Sequence, residues 1–297
     1  MNSTSPKLRL KASEDRPLHP AAITLLNRVS EATRGINTPF VVAGATARDI
    51  LLWHVYGQRP DRATSDVDVA VCAVSWDAHE SLIAALEATG CFKRDENAQQ
   101  RLIFTDPAVG RSMPLLDLVP FGQIEQPEGS IAWPPAGETV MNVLGFQEAV
   151  DTAVEVEIHE GLAVPVVTLP ALALLKILAW KDRRALTNKD ASDLLVLLRN
   201  YLEAGNTERI WEVGEGLLKQ HEFDLTLAAC GLLGRDARAV ALAATTEAID
   251  AILTDHTTYD LLRGDVLARA AGQMFDDYAD GSEDALSAFR SGFLDAR

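Results

Sequence analysis

Thr64-Ser65-Asp66-Val67-Asp68-Val69-Ala70-Val71 sets two aspartates two positions apart in a run that is otherwise β-branched or small. Such a run reads as a strand, and side chains two apart on a strand share a face. Asp66 and Asp68 therefore project together, while Val67, Val69 and Val71 take the opposite face and the core. Two neighbouring carboxylates repel unless positive charge lies between them. Mg²⁺ is the natural partner, because it prefers oxygen ligands and accepts phosphate oxygens beside carboxylates; Mn²⁺ is the alternative ion. Upstream, Val41-Val42-Ala43-Gly44-Ala45-Thr46-Ala47-Arg48-Asp49 reads as an apolar strand, a glycine turn and the start of a helix. A helix start offers backbone N–H groups to phosphate. Gly44, Ala45, Thr46 and Arg48 are thus candidates for nucleotide binding. The other reading of Arg48 is a surface ion pair with Asp49.

Downstream, Leu115-Leu116-Asp117-Leu118-Val119 carries one aspartate in an apolar strand. A lone carboxylate there is costly unless it is paired, bound to metal or facing a cleft. If this strand lies beside the first, Asp66, Asp68 and Asp117 converge. Three carboxylates can hold two metal ions about 4 Å apart, the arrangement used for in-line displacement at phosphorus. One ion would activate an attacking hydroxyl and the other would neutralise the leaving pyrophosphate.

The rest of the chain divides in two. Between about residues 18 and 167, helical and strand patterns alternate. Helices are expected over His19–Arg34, Thr46–Tyr56 and Asp77–Thr89, and a polar loop over Gln58–Ala63. Strands are expected over Phe40–Ala43 and Asp66–Val74. Two hairpins follow, Arg101–Thr105 with Leu115–Val119 and Val154–Ile158 with Ala163–Val167. Residues up to Pro17 read as a polar, loosely ordered lead-in, and residues 122–137 as loop. From Thr168 onward the pattern is helical to the end. Thr168 can cap a helix with Pro170 in its first turn. The expected class is α+β: a mixed α/β domain at 18–167 with a small mixed sheet, then an all-α domain at 168–297.

The ordered set of Gly44, Asp66, Asp68 and Asp117 resembles the nucleotidyltransferase superfamily that includes DNA polymerase beta. Two later segments, Leu174-Leu175-Lys176-Ile177-Leu178-Ala179-Trp180-Lys181-Asp182-Arg183 and Asn188-Lys189-Asp190-Ala191-Ser192-Asp193-Leu194, look like those of the AbiEii-type bacterial branch, which includes toxins of toxin–antitoxin pairs. The resemblance spans roughly residues 38–200. It implies an enzyme that moves a nucleoside monophosphate from an NTP to a hydroxyl and releases pyrophosphate. By it, Lys176 contacts the nucleotide's phosphates, Asp190 supports the site by holding Lys176, and the helical domain closes the nucleotide cleft. Asp66, Asp68 and Asp117 are then the catalytic, metal-binding acids. The acceptor is a tRNA 3′ end, a protein hydroxyl or, as in antibiotic-modifying relatives, a small molecule. An antitoxin partner is implied as well. One position departs from the pattern: the family's serine or second glycine is Ala45 here, so Thr46 would supply any hydroxyl. This departure leaves open a binding protein that keeps the fold without turnover.

Composition narrows the partners. A formal charge of −16 argues against a general nucleic-acid binder, which needs clustered Lys and Arg, and no DNA partner is expected. The acidity is uneven: residues 171–222 balance eight basic against eight acidic side chains, whereas 223–297 hold six against thirteen. The negative charge reads first as a means of keeping the protein soluble; the other reading is a local basic surface around residues 176–199. The tryptophans read as packing residues. Cys72, Cys91 and Cys230 lack paired spacing, which fits buried thiols in a reducing cytoplasm. No apolar run approaches the ~18 residues of a membrane span, and the N-terminus lacks a signal-peptide pattern.

Overall fold

The computed structural model describes residues 8–59, 66–109, 114–127, 129–271 and 280–296. The loop expected over Gln58–Ala63 lies mostly outside the described residues, as do Thr64, Ser65, the tip of the first hairpin and the first seven residues of the lead-in. Two compact units divide the chain, Met1–Thr168 and Leu169–Arg297.

In the first unit the elements run β1 (Arg9–Lys11), α1 (Pro20–Gly35), β2 (Phe40–Ala43), α2 (Gly44–Asp49), β3 (Asp66–Ala73), α3 (Trp76–Ala88), β4 (Phe92–Arg94), β5 (Arg101–Phe104) and β6 (Leu115–Gly122). They continue with β7 (Ser130–Ala132), β8 (Val140–Asn142), α4 (Phe146–Asp151), β9 (Val154–His159) and β10 (Leu162–Val166). Among the described residues the main sheet has the order β1-β9-β10-β2-β3-β6-β5-β4. It is mixed: β3 runs parallel to β6, while β2 and β5 run antiparallel to their neighbours β3 and β6.

Alternation decides the two faces at its centre. Val67, Val69, Val71, Leu116, Leu118, Leu102 and Phe104 are buried on one face. Asp66, Asp68, Leu115, Asp117, Arg101 and Ile103 stand half-buried on the other. Burying the β-branched and aromatic face is what sets the register, since a slip of one residue would carry the carboxylates into the core. Helix α3 is capped by the Ser75 hydroxyl, which accepts from the Ala78 N–H, and α1 by the His19 ring, which accepts from the Ala21 N–H.

Three expectations are corrected here. The lead-in is not loose throughout, because β1 pairs in parallel with β9 over Arg9–Lys11. The stretch 122–137 is not all loop, because β7 pairs with β8 in a second small sheet. The helix expected from Thr46 starts two residues earlier, at Gly44, and continues over Ile50–Val55 in wider π-type winding, with Tyr56 N–H donating to the Leu51 carbonyl.

The second unit is helical: α5 (Leu169–Arg183), α6 (Lys189–Asn200), α7 (Arg209–Val213), α8 (Glu215–Gln220), α9 (Leu225–Val240), α10 (Ala243–Thr254), α11 (His256–Ala271) and α12 (Asp280–Asp295). Its tightest packing joins α9 to α12. A Cβ at Gly292 would fall into the backbone of Gly231, and one at Gly234 into that of Phe289. Glycines at 234 and 292 let the two helices approach this closely. No helix among the described residues is long and apolar enough to cross a membrane. Of the thiols only Cys230 is buried, with Cys72 and Cys91 half-buried, and Trp211 is 57% exposed rather than packed.

Candidate active site

Register brings the carboxylates together. Asp68 pairs with Asp117 across β3 and β6, Ala43 pairs with Asp68 across β2 and β3, and Arg101 pairs with Asp117 across β5 and β6. One row thus crosses four strands as Ala43, Asp68, Asp117 and Arg101, with Asp66 two residues before Asp68 on the same half-exposed face.

Gly44 follows Ala43 at the start of α2, with φ at +61°, a conformation that favours glycine. A Cβ built there would land inside the Asp68 carboxylate. The carboxylate therefore lies directly against the bare Cα at the helix start. Ala43, at the N-cap, offers no side-chain oxygen to the helix N–H groups. A positive helix end and a carboxylate thus meet at one point, and glycine alone leaves room for both.

Thr46 is placed differently from expectation. Its hydroxyl donates to the Asp66 carbonyl at 2.5 Å. A hydroxyl has one proton to give, and phosphate takes donors. Thr46 spends that proton fixing the start of the carboxylate strand instead. Ala45 is buried and presents only a methyl group. Arg48 pairs with Asp49, Nε and Nη2 both donating to Oδ1 at 2.8 and 2.6 Å. The pair is not on the surface: the Arg48 side chain is 3% exposed.

Asp117 is engaged by a residue the sequence reading passed over. Arg101 Nε and Nη2 donate to Asp117 Oδ1 and Oδ2, each at 2.8 Å. These hydrogen bonds push the guanidinium further toward its protonated form, and burial opposes them. Among the described residues no group of three or more His, Cys, Asp or Glu is arranged to hold a metal ion. Asp66 and Asp68 nonetheless fit a divalent cation. Both carboxylates stand on one strand face, and the cradle at Gly44, which a Cβ would fill, makes room for one of them. Oxygen ligands of this kind suit Mg²⁺, whose remaining positions water and phosphate fill.

In the helical unit, Lys176 and Asp190 meet as expected of a lysine and its holder. Lys176 Nζ lies 2.5 Å from Asp193 Oδ2 and 3.3 Å from Asp190 Oδ1. Arg183 adds a bidentate pair to Asp190 at 2.6 and 2.8 Å. Burial pushes the Asp190 carboxyl up, but Arg183 and Lys176 outweigh it and hold the group below the usual carboxylate range. Asp190 and Asp193 thus do more than complement the helix start. Of the six basic residues in 176–199, Lys176, Arg183 and Arg184 pair with aspartates, which takes half of the charge out of any basic surface there.

The signal for Arg101 was its place at the head of a strand expected to pair with Leu115–Val119. Only the hairpin register tells that it faces Asp117 rather than a neighbour of the opposite face.

Comparison with known proteins gives three results. The family described as "Nucleotidyl transferase AbiEii toxin, Type IV TA system" matches residues 25–280. No curated protein sequence matches the chain. Among solved structures, an antigenic nucleotidyltransferase-like protein from Paracoccidioides brasiliensis is 17% identical with a TM-score of 0.42, over 73% of this chain and 94% of that one. The antibiotic-resistance factor ANT(2'')-Ia is 15% identical with a TM-score of 0.38, over 69% and 98%.

Proposed function

Because the chain belongs to the AbiEii nucleotidyltransferase toxin family of type IV toxin–antitoxin systems, we propose that this nucleotidyltransferase moves a nucleoside monophosphate from an NTP to an RNA or protein hydroxyl, as the toxin of a pair with an antitoxin. The observation that carries the reading is the Asp68 carboxylate seated on the bare Cα of Gly44 at a helix start, with Asp66 on the same strand face.

In this reading Asp66 and Asp68 hold a divalent ion. When bound, Mg²⁺ supplies Lewis-acid polarisation of the phosphate oxygens and charge neutralisation. The N–H groups at the start of α2 take a phosphate oxygen, and Gly44 makes room for the Asp68 carboxylate beside them. Thr46 keeps the carboxylate strand in place through the Asp66 carbonyl. Within the helical unit, Lys176 is held by Asp190 and Asp193. The acceptor oxygen forms a bond to the α-phosphorus. The bond from that phosphorus to the bridging oxygen breaks, pyrophosphate leaves with the electron pair, and the hydroxyl proton passes to water.

Incubation of the protein with each α-³²P-labelled NTP, Mg²⁺, total RNA and a protein extract tests this. The expected outcome is label in one acceptor class, lost by at least about 10²-fold in Asp68→Ala, the scale of removing a preorganised electrostatic group. Label in neither acceptor, or label that survives the substitution, would defeat the proposal. RNase and protease treatment of the product tells which class was labelled.

A further inference from the structure

The row of register partners across β2, β3, β6 and β5 ends in a cation. We propose that Arg101 is the second cation of this site: a single divalent ion serves Asp66 and Asp68, and the guanidinium clamped by Asp117 stands in for a second ion. The inference rests on the nucleotidyl-transfer reading above.

Geometry carries it. Both oxygens of Asp117 accept from Arg101, in the fork-to-carboxylate arrangement that fixes the guanidinium plane. The clamp is built into the sheet, since Arg101 and Asp117 are direct partners on neighbouring strands and share the face that carries Asp66 and Asp68. Asp117 therefore faces Arg101 rather than completing a three-carboxylate metal site. Arg101 neutralises Asp117, and its charge also reaches Asp66.

The guanidinium also keeps capacity to act on substrate. Arg carries five N–H donors, and the clamp on Asp117 uses two of them. The remaining edge can donate to phosphate oxygens. The Arg101 side chain is 27% exposed, so it is fixed yet open to a ligand. A fixed guanidinium stabilises charge on phosphate as an ion would, but it need not be recruited from solution. Asp117 is then a positioning residue that orients Arg101.

The test counts ions. Mn²⁺ is added with and without an α,β-methylene NTP, which cannot release pyrophosphate, and bound Mn²⁺ is measured by electron paramagnetic resonance. With the nucleotide analogue the wild type should bind one ion per chain. Arg101→Ala should bind two, because Asp117 is released to ligate a metal, and the double variant Arg101→Ala/Asp117→Asn should return to one. Arg101→Lys, which keeps a charge beside Asp117, should stay at one. In parallel, turnover by Arg101→Ala should fall by roughly 10²-fold and change from first-order to second-order dependence on Mg²⁺. Arg101→Gln carries the same expectation as Arg101→Ala, and thermal unfolding establishes that each variant is folded. Two ions in the wild type, or one ion in every variant, would overturn the role of Arg101 while leaving nucleotidyl transfer intact. No ion in any folded variant would overturn both readings.

Discussion

At the scale of single residues, the site depends on what is missing from one side chain. Gly44 has no Cβ, and Asp68 uses the space. Gly44→Ala meets two penalties at once, a left-handed φ and a collision with a carboxylate that its strand holds in place. Alanine at a positive φ costs upward of about 1 kcal/mol before any clash. The expected outcome is a lowered Tm together with a loss of nucleotidyl transfer comparable to that of Asp68→Ala, read by thermal unfolding and the labelling assay. A variant that keeps full activity would show that Asp68 has no need of this seat. Thr46 gives the contrasting lesson. Its hydroxyl looks like a phosphate ligand beside Ala45, yet one hydrogen bond to the Asp66 carbonyl commits it to the fold.

At the scale of elements, two pairings matter most. Strands β3 and β6 run parallel in one register, so Asp68 and Asp117 fall side by side although about 50 residues separate them. Helices α5 and α6 are joined by buried charges, Lys176 from the first and Asp190 and Asp193 from the second, with the half-exposed Arg183 pairing with Asp190 from the solvent side. Burying these charges was costly, and removing Lys176 takes away the buried cation that faces both carboxylates. Lys176→Met should therefore destabilise the protein by roughly 3–5 kcal/mol, the range for breaking a buried pair. Adding Asp193→Asn should recover part of that loss, because it removes a buried carboxylate that has lost its lysine. Urea unfolding of the single and double variants checks both, and equal losses would mean that Lys176 and Asp193 do not act as a pair.

At the scale of the whole molecule, charge and one histidine act in opposite directions as pH falls. The chain carries a formal −16 at neutral pH, with a pI near 4.8, so mild acid relieves self-repulsion. His79 opposes this. It is buried against Trp76 and Trp133, and neither ring nitrogen has a hydrogen-bond partner. Burial lowers its pKa to about 4; Glu80 opposes the shift and Arg94 adds to it. In the unfolded chain the ring titrates near the ordinary value of about 6.5. Between those values the unfolded state binds the proton and the folded state does not, so stability falls as pH drops from about 6.5 toward 4. The loss from pH 7 to pH 5 should be about 2 kcal/mol from this group. The measurement is the difference in unfolding free energy between pH 7 and pH 5 for the wild type and for His79→Leu. The variant should lack that portion of the loss, whatever its own stability at pH 7. An identical pH dependence in both would remove His79 from the account.

Much of this protein was legible in the sequence, for physical reasons that are local. Strand alternation put Asp66 and Asp68 on one face and their valines on the other. The apolar run before Gly44 marked a strand feeding a helix, and the shift to helical periodicity after Thr168 marked the helical region. The same patterns established the α+β class and, through the ordered acids, the resemblance to nucleotidyltransferases. Local patterns cannot say which strands become neighbours or in what register, because burial of whole faces decides that. So tertiary structure alone placed Arg101 on Asp117, seated Asp68 on Gly44, turned Thr46 inward to the Asp66 carbonyl and gathered Asp193 and Arg183 around Lys176 and Asp190. The aspartates at 66 and 68 announce themselves because strand geometry fixes their relation within a few residues. The cation at Arg101 becomes visible only when two strands pair, because its partner is set by the sheet and not by the chain.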